Sequence, residues 1–361
     1  MAQRATGRAR FGQAVPGLAV NMADAPAARL DASAPAAAPA PQTRAQGSGS
    51  TQSATPSTAW LGSRLALGLL IALICVVPFV LVLIISLGNK IEGAGWEWGL
   101  SLANYSRFFF GIGWPETVST LYAQKLFYSL YFAVLASLIA VLVAFPFTYL
   151  LTRLSRRAQA GWLILLLSSV SLSEVFVVMG WDVLLSNRSG LPMVFRETGL
   201  TAWLKGNGGL DLLREWGLAS PRNIRFKTSA FATVTTMVYL VFPYAVILLY
   251  PALSRIDPAM MEAARTMGAR PLMVIRTVVL PAVRVPVIGA VLLLFVFLLG
   301  AYVAITVFAA PAQQTLTVSI YDSIRGQTIN APFGAAQAVV LLVTAALFLG
   351  ASSLIAKRSG L

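Results

Sequence analysis

Long apolar runs alternate with short polar segments along most of this chain. Five runs carry no charged residue, and each exceeds the roughly 20 residues that a helix needs to cross the hydrocarbon layer; they lie at 65–87, 126–152, 228–254, 285–321 and 326–356. A sixth apolar run starts near Gly161 and is interrupted by Glu174 and Asp182. The pattern predicts an all-α integral membrane protein whose six transmembrane helices lie at 62–87, 126–151, 161–184, 229–252, 285–309 and 333–356.

Composition supports the same class. The chain is 57% hydrophobic and 11% charged, with a mean hydropathy of +0.76, whereas a soluble domain carries about 25% charged residues. Three prolines, Pro78, Pro146 and Pro243, fall inside the apolar runs. They do not contradict spanning helices, because neighbouring helices in a membrane protein can satisfy the carbonyl groups that a proline frees.

The first part of the chain differs from the rest. Residues 1–59 are rich in Ala, Pro, Ser and Gln and show no apolar periodicity, which predicts a disordered cytoplasmic tail. The basic residues there are not followed by the apolar segment of a signal peptide. We therefore divide the chain into a tail at 1–59 and a transmembrane domain at 60–358.

The net charge of +14 raises the question of nucleic acid, but its distribution argues for membrane lipid instead. Basic residues concentrate in alternate short segments, which predicts that these segments and both termini are cytoplasmic. The segment at 186–227 also carries seven basic residues, although the alternation places it outside. Long segments follow the charge rule poorly. The residues that define the cytoplasmic side are Arg153, Arg156, Arg157, Arg255, Arg265, Arg270, Arg276, Arg284, Lys357 and Arg358.

Several chemistries have no residues to support them. The chain has no His, and its only cysteine, Cys75, lies inside the first apolar run. The glycine-rich stretch at 206–209 lacks the Lys and Ser or Thr of an ATP-binding loop. The sequence therefore predicts no catalytic residues, no metal and no cofactor of its own. Any ATP must be bound by a partner subunit.

The polar segment between the fourth and fifth predicted helices holds the most specific motif. A helix from Pro258 to Met267 is predicted to end at Gly268, where the missing Cβ permits a turn. A second short helix then runs toward Pro281. This loop, residues 257–281, resembles the EAA loop of bacterial ABC importer permeases, although Val278 stands where the family usually has Ile. The matching residues are Glu262, Ala263, Ala264, Gly268, Leu280 and Pro281.

Shorter matches narrow the resemblance. The sequences Leu-Ala-Asn-Tyr at 102–105, Ala-Phe-Pro-Phe at 144–147 and Pro-Phe-Gly-Ala-Ala at 332–336 are similar to those of the spermidine/putrescine permeases. In particular, they resemble the first of the two permease subunits. The likeness covers residues 60–358 and implies the type I ABC importer permease fold, with six transmembrane helices.

The resemblance also implies partners and a location. It implies a bacterial inner membrane protein that works with a second homologous permease, two copies of a cytoplasmic ABC ATPase and an extracytoplasmic solute-binding protein. The 257–281 loop would dock into the ATPase, with Glu262 contacting the ATPase or capping the loop's own backbone. Arg265 and Arg270 either pair with acidic groups of the ATPase or belong only to the general excess of basic residues in cytoplasmic loops. The 186–227 segment would meet the binding protein.

The third predicted helix carries the candidate substrate pathway. Glu174, Trp181 and Asp182 fall within a sector of roughly 100° on one helix face, with Glu174 about 16 residues, or ~24 Å, from the cytoplasmic start. Carboxylates inside a spanning helix need a partner, and an ammonium group is one. Glu174 either faces the pathway or pairs with a neighbouring helix. Asp182 either lines the pathway or lies in the outer headgroup region. Tyr302 either lines the opposite wall of the pathway or is a buried aromatic residue that only contributes to packing.

The sequence alone does not identify the substrate. A polyamine is the first choice, through the resemblance. The alternatives are another small organic solute, opine-like or phosphonate, or ferric iron. A different class, a membrane scaffold subunit without transport, is disfavoured because polar residues inside apolar runs are costly unless they face a pathway.

Overall fold

The computed structural model describes residues 58–91, 93, 95–215, 217–220, 224–326 and 329–358. The chain divides into two units, Met1–Leu61 and Gly62–Leu361, and nearly all described residues belong to the second. The predicted tail at 1–59 lies outside the described residues except for its last two positions, which begin the first helix. The described residues are predominantly helical, as predicted.

The elements follow one another with short connections. In chain order they are α1 (Thr58–Ser86), β1 (Asn89–Lys90), β2 (Trp96–Glu97), α2 (Ala103–Phe110), α3 (Leu121–Leu151), α4 (Arg156–Val170), α5 (Glu174–Leu184), α6 (Leu191–Glu197), α7 (Leu200–Gly206), α8 (Gly209–Glu215), α9 (Ala230–Ser254), α10 (Pro258–Thr266), α11 (Pro271–Val274), a π turn (Ile275–Val279), α12 (Leu280–Ala282), α13 (Arg284–Leu299), α14 (Val303–Phe308), a 3₁₀ turn (Pro311–Gln313), α15 (Leu316–Arg325) and α16 (Ala331–Arg358).

The described residues contain between four and six candidate membrane spans. Among the described residues, α1, α3, α9 and α16 are each long and apolar enough to cross a bilayer. Two further spans are bent helix pairs. One joins α4 to α5 at 94°, and the other joins the helix at Pro271–Ala282 to α13 at 73°. If each bent pair is one span, the described residues contain six.

The centre of the domain is the contact between α3 and α9. Four alanines at helical spacing on α3 are fully buried, namely Ala133, Ala136, Ala140 and Ala144. Small side chains let two helix backbones approach closely, which is how helices in membranes gain packing energy. The facing positions of α9 include the fully buried Met237, Val241, Ala245 and Leu249. Helix α13 packs against both, so α3, α9 and α13 form the core.

Two predicted helices differ from the structure. The third was predicted as one helix at 161–184, but the chain bends at residues 171–173 and Glu174 is the first residue of α5. The estimate that Glu174 lies ~24 Å along a straight helix is therefore wrong. The fifth was predicted at 285–309, but α13 ends at Leu299 and α14 is a separate helix.

The 186–227 segment has secondary structure of its own, which the sequence did not predict. It contains the short helices α6, α7 and α8 and a bridge between Ala219 and Ile224. Short helices satisfy their backbone hydrogen bonds locally, so the segment is more than an irregular connection. It joins the end of α5 to the start of α9.

The predicted sidedness of this segment can be tested directly. We expect a reporter fused at Gly208, between α7 and α8, to read as extracytoplasmic, because the charge asymmetry of the short segments places both termini in the cytoplasm. The measurement is a paired alkaline phosphatase and green fluorescent protein fusion, with a fusion within the 257–281 loop as the cytoplasmic reference. A cytoplasmic signal from Gly208 would overturn the six-helix topology.

Candidate functional site

The 257–281 loop is a helical hairpin with defined ends. Asp257 caps α10, because its Oδ1 accepts a hydrogen bond from the N–H of Ala259 at 2.9 Å, and Pro258 occupies the first helical position. At the other end Gly268 has φ +84°. Its N–H donates to the Arg265 carbonyl at 2.9 Å. The N–H of Ala269 donates to the Ala264 carbonyl at 3.1 Å. These two bonds form a Schellman motif, which needs the left-handed residue that glycine supplies.

The two faces of α10 have different surroundings. Ala264 and Met261 are buried, and the Sδ of Met261 accepts a hydrogen bond from Arg153 at 2.8 Å. Arg153 also lies 4.9 Å from the ring centre of Tyr149, on α3. The buried face therefore attaches the loop to the end of α3. Of the motif residues, the structure leaves Glu262, Ala263, Gly268, Leu280 and Pro281 exposed.

Glu262 does not cap its own loop. Its side chain is exposed and makes no hydrogen bond within the described residues, whereas Asp257 satisfies the start of α10. The prediction that Glu262 caps the loop backbone is therefore wrong. The other alternative, a contact with a separate subunit, stays a prediction.

One of the candidate pathway residues, Glu174, lines a cavity near the two helix breaks. A cavity of about 290 Å³ is lined by Glu174 together with Tyr239 and Tyr244 of α9. The remaining lining residues are apolar or small and come from α9 and from the two breaks with their flanking helices: Leu240 of α9, and Ser169, Val170, Leu172, Val177, Phe297, Leu298, Gly300 and Ala301. Irregular backbone at membrane depth is tolerated where it lines a cavity or is buried in protein.

Glu174 is the only charged residue among those that line this cavity. Its side chain is half-buried, and its Oε1 atom is buried without a hydrogen-bond partner in the described residues. The backbone N–H of Ala304 is close to the carboxyl group, and α14 packs against α5. A buried oxygen without a partner is costly, so this carboxylate can accept a further donor.

The other predicted pathway residues lie in two different places. Trp181 and Asp182 are half-buried, as Glu174 is. The ring of Trp181 packs edge-on against Tyr239 with centroids 5.5 Å apart. Asp182 forms an ion pair with Lys227, with 2.6 Å between Oδ1 and Nζ.

Tyr302 is not part of this arrangement. It lies in the break between α13 and α14, not inside the fifth helix as predicted, and its ring packs on Tyr321 at 4.3 Å between centroids. It does not line the Glu174 cavity. The alternative interpretation, aromatic packing, describes its position in this structure.

Sequence reasoning missed three residues at the site. Tyr239 and Tyr244 line the cavity, but both are uncharged aromatic residues inside an apolar run, where packing is the ordinary expectation. Lys227 was grouped with the basic residues of the 186–227 segment. Its position directly before α9 was a signal, because a cation at the end of a spanning helix can reach a carboxylate on a neighbouring helix.

Comparisons with known proteins agree with this architecture. Residues 193–358 match the family described as binding-protein-dependent transport system inner membrane component. The spermidine/putrescine transport system permease protein PotB of Haemophilus influenzae is 23% identical over 273 residues, which are 76% of this chain and 85% of that protein. PotB of Escherichia coli is 26% identical over 252 residues, 69% of this chain and 80% of that protein.

Solved structures show the same fold. A bacterial alginate ABC transporter in complex with an alginate-bound periplasmic protein matches with a TM-score of 0.61 and 14% identity. The match covers 83% of this chain and 95% of that one. A second alginate importer structure matches with a TM-score of 0.58 and 13% identity, over 83% and 96% of the two chains. The chain therefore has the fold of ABC importer permeases, and its residues 193–358 match the inner membrane components of binding-protein-dependent transport systems.

Proposed function

We propose that this permease moves a small organic cation, a polyamine such as putrescine or spermidine, through the Glu174 cavity. The observation that carries the proposal is the buried, unpartnered carboxylate oxygen of Glu174 inside a cavity whose lining contains no basic residue. A substrate ammonium group would donate a hydrogen bond to that oxygen and neutralise the carboxylate. The relatives named as spermidine/putrescine permeases support the same substrate class.

Aromatic rings of the cavity suit the same ligand. Tyr239 and Tyr244 line the cavity together with Glu174, and Phe297 packs on Tyr244 with centroids 5.4 Å apart. Ammonium groups bind to aromatic faces as well as to carboxylates, and the methylene chain of a polyamine suits the apolar wall. An anionic phosphonate would meet a carboxylate without a compensating cation among the lining residues, so we favour a cation.

The 257–281 loop is proposed to couple this pathway to ATP hydrolysis by a separate subunit. A permease of this family implies an ATPase, a partner permease and a binding protein, and we infer two ATPase copies and a homologous second permease. Exposed apolar side chains on the loop support docking, since Met267 is 82% and Leu272 78% exposed. The exposed Glu262 would contact the ATPase, which binds the ATP.

Stimulation of ATP hydrolysis tests the substrate class. The complete complex, with its ATPase and binding protein, is placed in lipid nanodiscs, and hydrolysis is measured with putrescine, spermidine, a phosphonate, an opine and ferric iron. We expect only the two polyamines to stimulate hydrolysis, and only with the binding protein present. Stimulation by the phosphonate, the opine or iron, without stimulation by either amine, would contradict the proposal.

A further inference from the structure

A second carboxylate on α5 is already occupied by an ammonium group of the chain itself. The Nζ atom of Lys227 lies 2.6 Å from Oδ1 of Asp182, and the two side chains are 32% and 29% exposed. The pair is therefore accessible to solutes and incompletely desolvated. A partly exposed ion pair is weak enough to exchange with a competing ion.

The ion pair lies next to Trp181, which lines a second cavity beside the one that contains Glu174. Trp181 precedes Asp182, and with Tyr239 it lines a neighbouring cavity of about 330 Å³. Leu172, Val177 and Tyr239 line both cavities, so the two are adjacent. Asp182 and Glu174 are separated by roughly 12 Å along the axis of α5, from eight residues at the helical rise. Glu174 thus lines one of the two adjacent cavities, and Asp182 follows Trp181, which lines the other.

The backbone next to Lys227 is held in an unfavourable conformation. Thr228 has φ +59°, in the left-handed region that a β-branched residue rarely adopts. Its Oγ1 accepts a hydrogen bond from Arg225 at 2.7 Å and donates one to the Lys227 carbonyl at 2.6 Å. Strained backbone of this kind persists only where surrounding contacts hold it, and it often marks a segment that moves.

We propose that Lys227 is a built-in substitute for a substrate ammonium group at Asp182. With no substrate present, the lysine neutralises the carboxylate and ties the end of the 186–227 segment to α5. An arriving substrate amine displaces the lysine from Asp182 and frees the strained segment at Thr228. Asp182 is then the first ammonium contact and Glu174 the second. This inference rests on the proposed cationic substrate. It adds that the Lys227 ammonium group competes with that substrate for Asp182.

Substitution of Lys227 distinguishes competition with the substrate for Asp182 from an ion pair that only holds the 186–227 segment against α5. In proteoliposomes that contain the complete importer, we expect Lys227→Met to lower the KM for spermidine uptake about two- to fivefold, the range that a half-exposed ion pair allows. Removal of the internal competitor leaves Asp182 open to substrate. Lys227→Arg should raise the KM, because an arginine fork binds a carboxylate more firmly. If Lys227→Met fails to assemble, the KM of Lys227→Arg decides the question.

Two further variants make the test specific. Asp182→Asn should raise the KM, and the double variant with Lys227→Met should match Asp182→Asn alone, since the lysine then has nothing to compete for. Lys90→Met removes an exposed positive charge from β1, outside the 186–227 segment, and should leave the KM unchanged. A KM that is unchanged or raised in Lys227→Met, in an importer that transports spermidine, would overturn the competitor role but leave the proposed function intact. Absence of polyamine transport by the wild type would overturn both.

Discussion

Replacing Gly268 with valine is expected to remove most transport while the protein still inserts into the membrane. Gly268 has φ +84° and no atom within 4 Å of the position where a Cβ would lie, so the cost is conformational and not steric. The left-handed conformation costs an L-residue roughly 1–2 kcal/mol, and a β-branched residue adopts it least readily. Each 1.4 kcal/mol is about tenfold in the population of the correct loop.

The matched control at this position is Gly268→Asn. Asparagine adopts the left-handed conformation more readily than other non-glycine residues, so it should retain the Schellman motif and most activity. ATP-driven uptake and co-purification of the ATPase are measured for both variants, with membrane content as the reference. Normal assembly and normal uptake by Gly268→Val would show that the 257–281 loop does not couple the permease to the ATPase.

Glu174→Gln is expected to reduce polyamine uptake by roughly ten- to hundredfold, because a hydrogen bond to a charged group is worth about 1.5–3 kcal/mol. The amide keeps the size of the side chain but cannot neutralise an ammonium group. The variant should still assemble, since the Oε1 atom has no partner to lose in the described residues. Uptake of labelled spermidine is measured over a concentration series, with ATP hydrolysis followed in parallel.

Glu197→Gln is the matched control for this prediction. Glu197 is exposed at the end of α6 and lies outside both cavities, so its neutralisation should leave uptake close to that of the wild type. Unchanged uptake by Glu174→Gln at all concentrations would remove Glu174 from the pathway. It would also remove the main structural argument for a cationic substrate.

The distribution of charge along the chain predicts the four long apolar helices α1, α3, α9 and α16. Uncharged runs longer than a bilayer have few alternatives to a spanning helix. The turn at Gly268 also followed from the chain alone, because a local motif depends on a few adjacent residues. These are local properties. They do not depend on which helices meet in the folded domain.

The breaks at the cavity could not be predicted in the same way. Ser171-Leu172-Ser173 contains neither glycine nor proline, and the bend there depends on packing against α9 and α14. The sequence does not reveal the second break, at residues 300–302, because uncharged and mostly apolar residues continue to Phe308. The Lys227–Asp182 pair joins positions far apart in the chain, so only the three-dimensional structure brings them together.

The most direct measurement is ATP-dependent accumulation of labelled spermidine in proteoliposomes that contain this permease with its partner permease, ATPase and binding protein. We predict accumulation that requires both ATP and the binding protein, that unlabelled putrescine inhibits, and that a neutral diol of the same length does not. Accumulation of the diol, or of an anionic solute in place of the amine, would contradict a cation pathway through Glu174. No ATP-dependent accumulation of spermidine by the complete complex would contradict the account as a whole.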